Sequence, residues 1–462
     1  MNPQDYDALV LGAGQAGPSL AVRLAQHGWR TAIVERGELG GTCVNTGCTP
    51  TKTLVASARV AHLARRAADF GVTLGGPVGI DFPAVMARTH QVVQGSRDGL
   101  GRWLRNTKNL EWITAEARFA APDTLALSDG RRLRAPRIFL NVGARPIVPG
   151  WLAAGGAPFF TNETILGLAE LPSHLVILGG GYIALEYAQV FRRFGSAVTV
   201  LEHGSRFLPR EDGDAADAVR GVLEREGIAI RLGADARGLE RAGTGIALTL
   251  ADGTRVEGSH LLVAIGRQPN TDALDLERAG LAPAANGTLQ VDDALRSAVP
   301  GIWVLGDANG RGAFTHTSYN DFEIVAANLL DDDPRRVSER ISVYALFTDP
   351  PLARIGMNKA AARASGKAVL VGRMPMTRVG RATERSETDG FMEVLVDADS
   401  QRILGATLFC IEGDEVIHAL LDMMAAGQTA TSIARTMHIH PTVSELVPTL
   451  LQALKPLDDA AS

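Results

Sequence analysis

The chain has 462 residues, of which 46% are hydrophobic and only 5% aromatic, with 50 glycines and a formal net charge of −5. That length exceeds a single hydrophobic core and implies two to four domains of a large α/β protein, not a β-sandwich or a disordered chain. The mixed, slightly acidic charge excludes the basic footprint of a nucleic-acid binder, and no apolar run reaches the roughly 18 residues of a membrane helix. MNPQDYDALVLG opens a strand without a basic-then-apolar leader, so the expectation is a cytoplasmic protein with neither nucleic acid nor membrane as partner.

Residues 5–12 read as a buried strand running into a glycine turn, followed by helical spacing through Leu24 and Ala25. Gly12, Gly14 and Gly17 form G-x-G-x-x-G, and the next strand, Thr31 to Val34, ends at Glu35. The design returns at His174 to Leu178, where Gly179, Gly181 and Ala184 form G-x-G-x-x-A and the strand Val198 to Leu201 ends at Glu202. Each acid follows its first glycine by 23 positions, close to the roughly 20 of a dinucleotide fingerprint. The first glycine permits the turn, the second lets backbone approach a pyrophosphate, and the third lets helix pack on strand. The pyrophosphate then faces free N–H groups at a helix N-terminus, and Glu35 and Glu202 would accept from ribose hydroxyls. One such motif is weak evidence; two in strand–turn–helix context are strong.

Residues 137–143 and 260–266 are apolar runs closed by glycine, each followed by a basic, proline-bearing turn, and 301–307 ends at Asp307. The expected division is a first dinucleotide unit at 1–145, a second at 146–269, a return to the first at 270–335, and a C-terminal α+β domain at 336–462 after the charged DDDPRR linker.

Three cysteines are too few to staple such a chain and point to chemistry or packing. Cys43 and Cys48 stand in GGTCVNTGCTPTKT, separated by four residues. In a regular helix that spacing gives about 7.5 Å of rise and two different faces, whereas a disulfide needs Cα atoms within roughly 7 Å. A bonded pair therefore requires a break in the helix, which Gly47 would permit. Thr49 then Pro50 suggests an N-cap and a first helical residue, with Cys48 just before a helix N-terminus that favours its thiolate. Half a zinc site is the alternative, but no second pair exists and no metal site is expected. An inert core pair is the other alternative, disfavoured by the polar, glycine-rich setting.

GGTCVNTGCTPTK resembles the redox signature of the class I flavoprotein disulfide reductases, which include glutathione reductase, dihydrolipoamide dehydrogenase and mercuric reductase. The order of motifs is similar over essentially the whole chain: the first fingerprint, the cysteine pair, NVGARP, GGGYIALE, IGRQPN, the LGD strand and HPTVSE. The resemblance implies two Rossmann-like domains, for FAD and for NAD(P), plus a C-terminal dimerisation domain. It implies that Cys48 takes electrons from the flavin, that Cys43 attacks the substrate, and that Lys52 pairs with Glu186 near the flavin. It matches Gly41, Thr42, Asp307, Thr315 and the backbones of Ala117 and Gly143 to FAD contacts. Tyr182 matches an aromatic cover of the nicotinamide pocket, with Ile183 beside it, and Gly266 and Arg267 match further cofactor contacts. His440 matches an acid–base histidine held by Glu445, which in the family enters the other subunit's site and so implies a homodimer with composite active sites. Thiol–disulfide exchange needs such a group, because each thiolate that attacks or leaves moves a proton.

His27, His62, His203, His418 and His438 are expected to be surface or packing residues, and Cys410 a buried small hydrophobe. NADH is favoured over NADPH, since the charge of Glu202 would repel a 2′-phosphate, although His203, Arg206 and Arg210 could contact one. PTKTLV, FLPRED and THTSYND look most like the mercuric-reductase-like, reactive-chlorine-resistance branch, associated with soft metals and oxidants. The given sequence ends LKPLDDAAS, without the C-terminal cysteine pair that receives Hg(II), so the expected acceptor is a small disulfide, a soft metal ion or another oxidant. Dihydrolipoamide dehydrogenase is the runner-up: HPTVSE favours it, and THTSYND in place of A-H-K-A counts against it. A non-catalytic redox sensor on the same fold is the third reading.

Overall fold

The computed structural model describes residues 3–457. In chain order the first unit contains β1 (Ala8–Leu11), α1 (Gly17–Gln26), β2 (Thr31–Glu35), α2 (Gly41–Asn45), α3 (Cys48–Arg65), α4 (Phe82–Arg105), β3 (Leu110–Thr114) and β4 (Ile138–Leu140). The second contains β5 (His174–Leu178), α5 (Tyr182–Phe194), β6 (Ala197–Leu201), α6 (Gly213–Arg225), β7 (Ile228–Arg231) and β8 (His260–Val263). Then come β9 (Ile302–Val304), α7 (Thr315–Leu330), β10 (Val343–Leu346), β11 (Leu352–Gly356), β12 (Val369–Pro375), β13 (Phe391–Asp397), β14 (Ile403–Phe409), α8 (Gly413–Ala425) and β15 (Lys455–Pro456).

Among the described residues, the first unit is a five-stranded parallel sheet ordered β9-β4-β1-β2-β3. Its central strand ALVL is buried at every position, as parallel strands covered on both faces must be. The chain leaves this sheet after β4 and re-enters it at β9, with Trp303 paired to Phe139 and Phe139 to Val10. Between the two visits stands a second parallel sheet ordered β7-β6-β5-β8. In both sheets the first glycine turn leaves from the strand where the order reverses, the place where α/β sheets open a crevice for ligand.

The C-terminal part is a six-stranded antiparallel sheet ordered β10-β11-β14-β13-β12-β15. It is a mixed α/β architecture of three sheet-centred bodies. No described helix is long and apolar enough to cross a membrane.

The N-terminal unit, the second unit and the C-terminal sheet are clamped together by charge. Arg193 on α5 is 5% exposed and donates to Glu226 at 2.7 and 2.9 Å and to Asp349 at 2.6 Å. Arg59 on α3 reaches the same Asp349 at 2.6 Å and Glu387 at 3.0 Å. Burial pushes the Asp349 carboxyl up, but the guanidinium groups of Arg193 and Arg59 outweigh it and hold the group below the usual range.

Candidate active site

The segment holding the two cysteines is two helices with a break, not one helix. α2 ends at Asn45, Thr46 leaves helical geometry at φ −144°, and Gly47 stands at φ −129°, ψ −118° before α3 begins at Cys48. A Cβ on Gly47 would stand 2.8 Å from the carbonyl oxygen of Thr42, so the break is open only to glycine. This departure from regular helix is what the cysteine spacing required. The expected cap is corrected: Gly47, not Thr49, precedes the helix, and Cys48 is its first residue. Thr51 N–H already donates to Gly47 O at 3.0 Å, and Pro50 is tolerated because the first N–H groups of a helix have no internal partner. Asn45 pins the break, donating to Gly41 O at 2.9 Å and accepting from Arg97 Nε at 2.6 Å.

Both cysteines are free thiols, and their environments drive them apart. The Cys48 thiol is lowered to about 6 by its hydrogen bond with Cys43, against the opposing effect of burial, with help from Thr315 and the Lys52 charge. Cys43 moves far up, first through that same hydrogen bond and then through burial. The pair therefore shares one proton that resides on Cys43. Thr315 at the start of α7 places its Oγ1 3.2 Å from Cys48 Sγ. One turn into α3, Lys52 Nζ meets Glu186 Oε2 at 2.6 Å and lies 4.4 Å above the ring of Phe347. Glu186 spends its other oxygen on the backbone N–H of Phe347 at 3.0 Å. The six sequence candidates thus separate into one cluster, Cys43, Cys48, Lys52 and Glu186, and one remote pair.

The remote pair is His440 and Glu445, joined Nδ1 to Oε2 at 2.7 Å, with the imidazole 80% exposed. Met437 and Ile439 beside it are 94% and 79% exposed, a concentration of apolar surface that suits an interface. His438 instead bonds Ser444 O at 2.9 Å, and Cys410 is fully buried.

The two glycine turns are built alike. A Cβ on Gly12 would stand 2.3 Å from Asn141 O, and on Gly179 2.4 Å from Ala264 O. Both turn glycines adopt positive φ, +100° and +107°. Glu35 accepts from Ala13 N–H at 2.7 Å and Gly37 N–H at 2.9 Å. Glu202 repeats this with Gly180 and Gly204 N–H at 2.7 and 2.6 Å. On the first turn a Cβ at Gly14 would stand 3.0 Å from Asn141 Oδ1 and one at Gly17 2.1 Å from Gly12 O. Gly41 folds against Gly14 with φ +58°, Gly143 has φ +63°, and Gly266 has φ +137°. Ala117 opens the strand Ala117–Ala121. On the second turn Gly181 precedes α5, whose first residues are Tyr182 and Ile183.

Residues 6–321 match the family model described as pyridine nucleotide-disulphide oxidoreductase, and residues 342–451 match the dimerisation domain of the same family. The probable pyridine nucleotide-disulfide oxidoreductase RclA of Escherichia coli is 35% identical over 97% of this chain and 99% of its own length. The chain belongs to the pyridine nucleotide-disulphide oxidoreductase family. The dihydrolipoyl dehydrogenase of Halobacterium salinarum is 34% identical over 95% of this chain and 94% of its own. Among solved structures, the HOCl-induced flavoprotein disulfide reductase RclA from Escherichia coli superposes with TM-score 0.90 at 35% identity, covering 97% of this chain and 100% of that one. Its Cu(II) complex gives 0.89 over the same spans.

Pyridine nucleotide-disulphide oxidoreductases are FAD-dependent and use NAD(P)H, and the residues of this chain fit the flavin nucleotide. Arg267 directs one guanidinium nitrogen to Thr42 Oγ1 at 3.0 Å and to Ala144 O, while its Nη1 is buried without a hydrogen-bond partner among the described residues. An unpaired buried donor next to the loop of Gly12, Gly14 and Gly17 suits an anionic diphosphate. Burial pushes the Asp307 carboxyl up despite Arg267 at 3.7 Å.

Several site residues gave no sequence signal. Asn141 is the hub of the first turn, accepting from Gly17 N–H at 3.0 Å and donating to Leu305 O at 3.3 Å. Asp321, 1% exposed, holds Gly306 N–H and Asn309 at 2.8 Å each and binds Arg340. Asn141 stands inside NVGARP, where the glycine and the basic, proline-bearing turn carry the sequence signal. Asp321 acts on Gly306, Asn309 and Arg340, 12 to 19 positions away on either side, and no motif spacing betrays it.

Proposed function

We propose that the chain passes electrons from NADH through bound FAD to the Cys43–Cys48 pair and from there to a disulfide, a soft metal ion or another oxidant. The observation that carries this reading is the asymmetric thiol pair, with Cys48 lowered to about 6 beside Lys52 and Thr315. When bound, FAD supplies two-electron transfer between a reduced nicotinamide and the cysteine sulfurs. The glycine turns, Arg267, Thr42 and Asp307 hold its nucleotide, and the second turn with Glu202 holds NADH, whose 2′-hydroxyl suits a carboxylate better than a 2′-phosphate would. Tyr182 covers the nicotinamide pocket. The same reading divides the chain at 145, 269 and 335 and places it in the cytoplasm.

For a disulfide acceptor, the partner subunit's His440 takes the proton from Cys43, whose sulfur attacks one acceptor sulfur and expels the other as thiolate, to which the imidazolium returns the proton. Cys48 then attacks Cys43 Sγ, the Cys43–Cys48 disulfide forms, and the second thiolate leaves. Glu445 fixes the imidazole for this work. Cu(II) enters as an acceptor because the Escherichia coli relative is known as a Cu(II) complex. Dihydrolipoamide dehydrogenase is the second reading, favoured by relatives of that name at 32–34% identity. The test is a pair of variants with an acceptor panel of lipoamide, oxidised glutathione, Hg(II), Cu(II) and oxygen. Cys43→Ser is expected to keep the long-wavelength thiolate–flavin absorbance and lose disulfide turnover, and Cys48→Ser to lose both. A Cys43→Ser protein without that absorbance overturns the assignment of the two sulfurs; brisk lipoamide-dependent NAD+ reduction decides for the second reading.

A further inference from the structure

Glu211, in the FLPRED stretch, carries a carboxylate with 0% side-chain exposure. A buried carboxylate is costly unless its charge is met, and the partners here are specific. Oε1 accepts from the phenol of Tyr182 and from that of Tyr344 at 2.8 Å. Oε2 meets the charge of Arg354 with Nε at 3.1 Å, neither atom having a hydrogen-bond partner among the described residues, and Arg354, 3% exposed, also meets Asp212 at 3.1 Å. Tyr182 follows the second glycine turn directly, whereas Tyr344 and Arg354 belong to β10 and β11 of the C-terminal sheet. The two phenol rings also touch, centroids 5.7 Å apart, and Tyr344 stacks on Phe314 at 5.6 Å. Phe314 immediately precedes the threonine that contacts Cys48. Burial, with the Glu211 charge behind it, raises the Tyr182 phenol far above its ordinary value, so it stays a donor.

We infer that Glu211 is a positioning residue that latches Tyr182 in its closed place, so that nicotinamide enters only by breaking the Tyr182–Glu211 hydrogen bond. The inference rests on the reading of Tyr182 as the cover of the nicotinamide pocket. The physical logic is conformational competition: a nucleotide that binds only the open form has its apparent Kd multiplied by the inverse of the open fraction. A hydrogen bond to a buried charge is among the stronger ones, which makes the closed form dominant. Tyr344 and Arg354 make the opening reversible. When Tyr182 swings away, the carboxylate keeps the Tyr344 hydrogen bond on Oε1 and the Arg354 charge beside Oε2. Weakening the latch should therefore tighten NADH without altering the part of the nucleotide that lies away from the ring.

The experiment compares the holoenzyme with Tyr182→Phe, Glu211→Gln and the double variant. The apparent Kd for NADH is read from the concentration dependence of flavin bleaching in rapid mixing, and the Kd for ADP-ribose, which lacks the nicotinamide, from calorimetry. Each single variant is expected to lower the apparent Kd for NADH by about tenfold, ~1.4 kcal/mol, and the double variant by no more than either alone. The ADP-ribose Kd and the melting temperature of Tyr182→Phe are expected to be unchanged. Additive effects, or an ADP-ribose shift as large as that for NADH, overturn the latch and leave Glu211 a structural acid. If Glu211→Gln does not fold, Glu211→Asp keeps the charge beside Arg354 while retracting it from the phenols, and the same non-additivity with Tyr182→Phe is required. Tyr182→Ala separates the two layers of the reading. If it changes the NADH Kd while Tyr182→Phe does not, the cover stands and the latch falls. If neither changes it, the cover reading itself falls and the latch with it.

Discussion

Removing Arg193 tests how the three sheet-centred bodies are held together. The side chain is 5% exposed and makes three hydrogen bonds of 2.6–2.9 Å to two carboxylates. Arg193→Met keeps the aliphatic stem and deletes the charge. Asp349 then retains Arg59 at 2.6 Å, but among the described residues Glu226 retains only Gln189 Nε2 at 2.9 Å, and its carboxylate is 17% exposed. Breaking a buried pair by deleting one partner costs about 3–5 kcal/mol, and at about 1 °C per kcal/mol for a chain of this length the melting temperature should fall by roughly 3–5 °C. Arg23→Met is the control, because its pair with Asp331 is 38% and 42% exposed and such pairs contribute about 0–1 kcal/mol. The assay is thermal unfolding followed by circular dichroism at fixed protein and FAD concentrations. Its pH dependence has a defined sign. The Asp349 carboxyl is depressed in the folded chain, so its contribution is full above the unfolded value near ~4 and is lost as pH falls through the folded value. Wild type should therefore lose melting temperature on acidification in that window, and Arg193→Met should lose less. An Arg193→Met shift no larger than that of Arg23→Met refutes the clamp.

Thiolate–flavin absorbance of the two-electron-reduced enzyme should appear on raising the pH with a midpoint near about 6, because Cys48 is lowered to about 6; a midpoint above 8 contradicts the site electrostatics. Lys52→Met removes one of the charges that lower Cys48 and should move that midpoint upward, readable in the same titration. Gly17→Ala puts a Cβ 2.1 Å from Gly12 O and should give protein that purifies without yellow colour; normal FAD content would refute the close-packed turn. His440→Gln should leave the thiolate absorbance intact and slow disulfide turnover by about 10²–10⁴-fold, with partial recovery in mixed dimers carrying Cys43→Ser on the other subunit.

What the sequence disclosed is what physics compresses into short spacings. The two glycine turns, with Glu35 and Glu202 at the ends of their next strands, recur at fixed distances because one loop and one helix separate them. Gly47 betrayed the helix break because two nearby cysteines needed it. The cap was misread at Thr49 because local propensity favours a hydroxyl there, whereas a 2.8 Å approach to Thr42 O decided for glycine. Lys52 and Glu186 were legible only through the resemblance, being 134 positions apart. Glu211, Tyr344, Arg354, Asn141 and Asp321 were not legible at all as a set. Their partners lie 12 to 177 positions away along the chain, and a buried acid in a polar stretch such as FLPRED looks like surface until the fold covers it.

The double engagement of Glu202 bears on attempts to retarget the enzyme between the two nicotinamide currencies. Its oxygens tie down the amides of Gly180 and Gly204 at 2.7 and 2.6 Å, so this acid also braces the loop to which the proposed function assigns the nucleotide. Swapping it for alanine to admit a phosphate would strip two amides of their acceptor and slacken the cradle for either dinucleotide. A glutamine there, combined with new positive charge at neighbouring surface positions, keeps one amide braced and is the more promising route to altered preference.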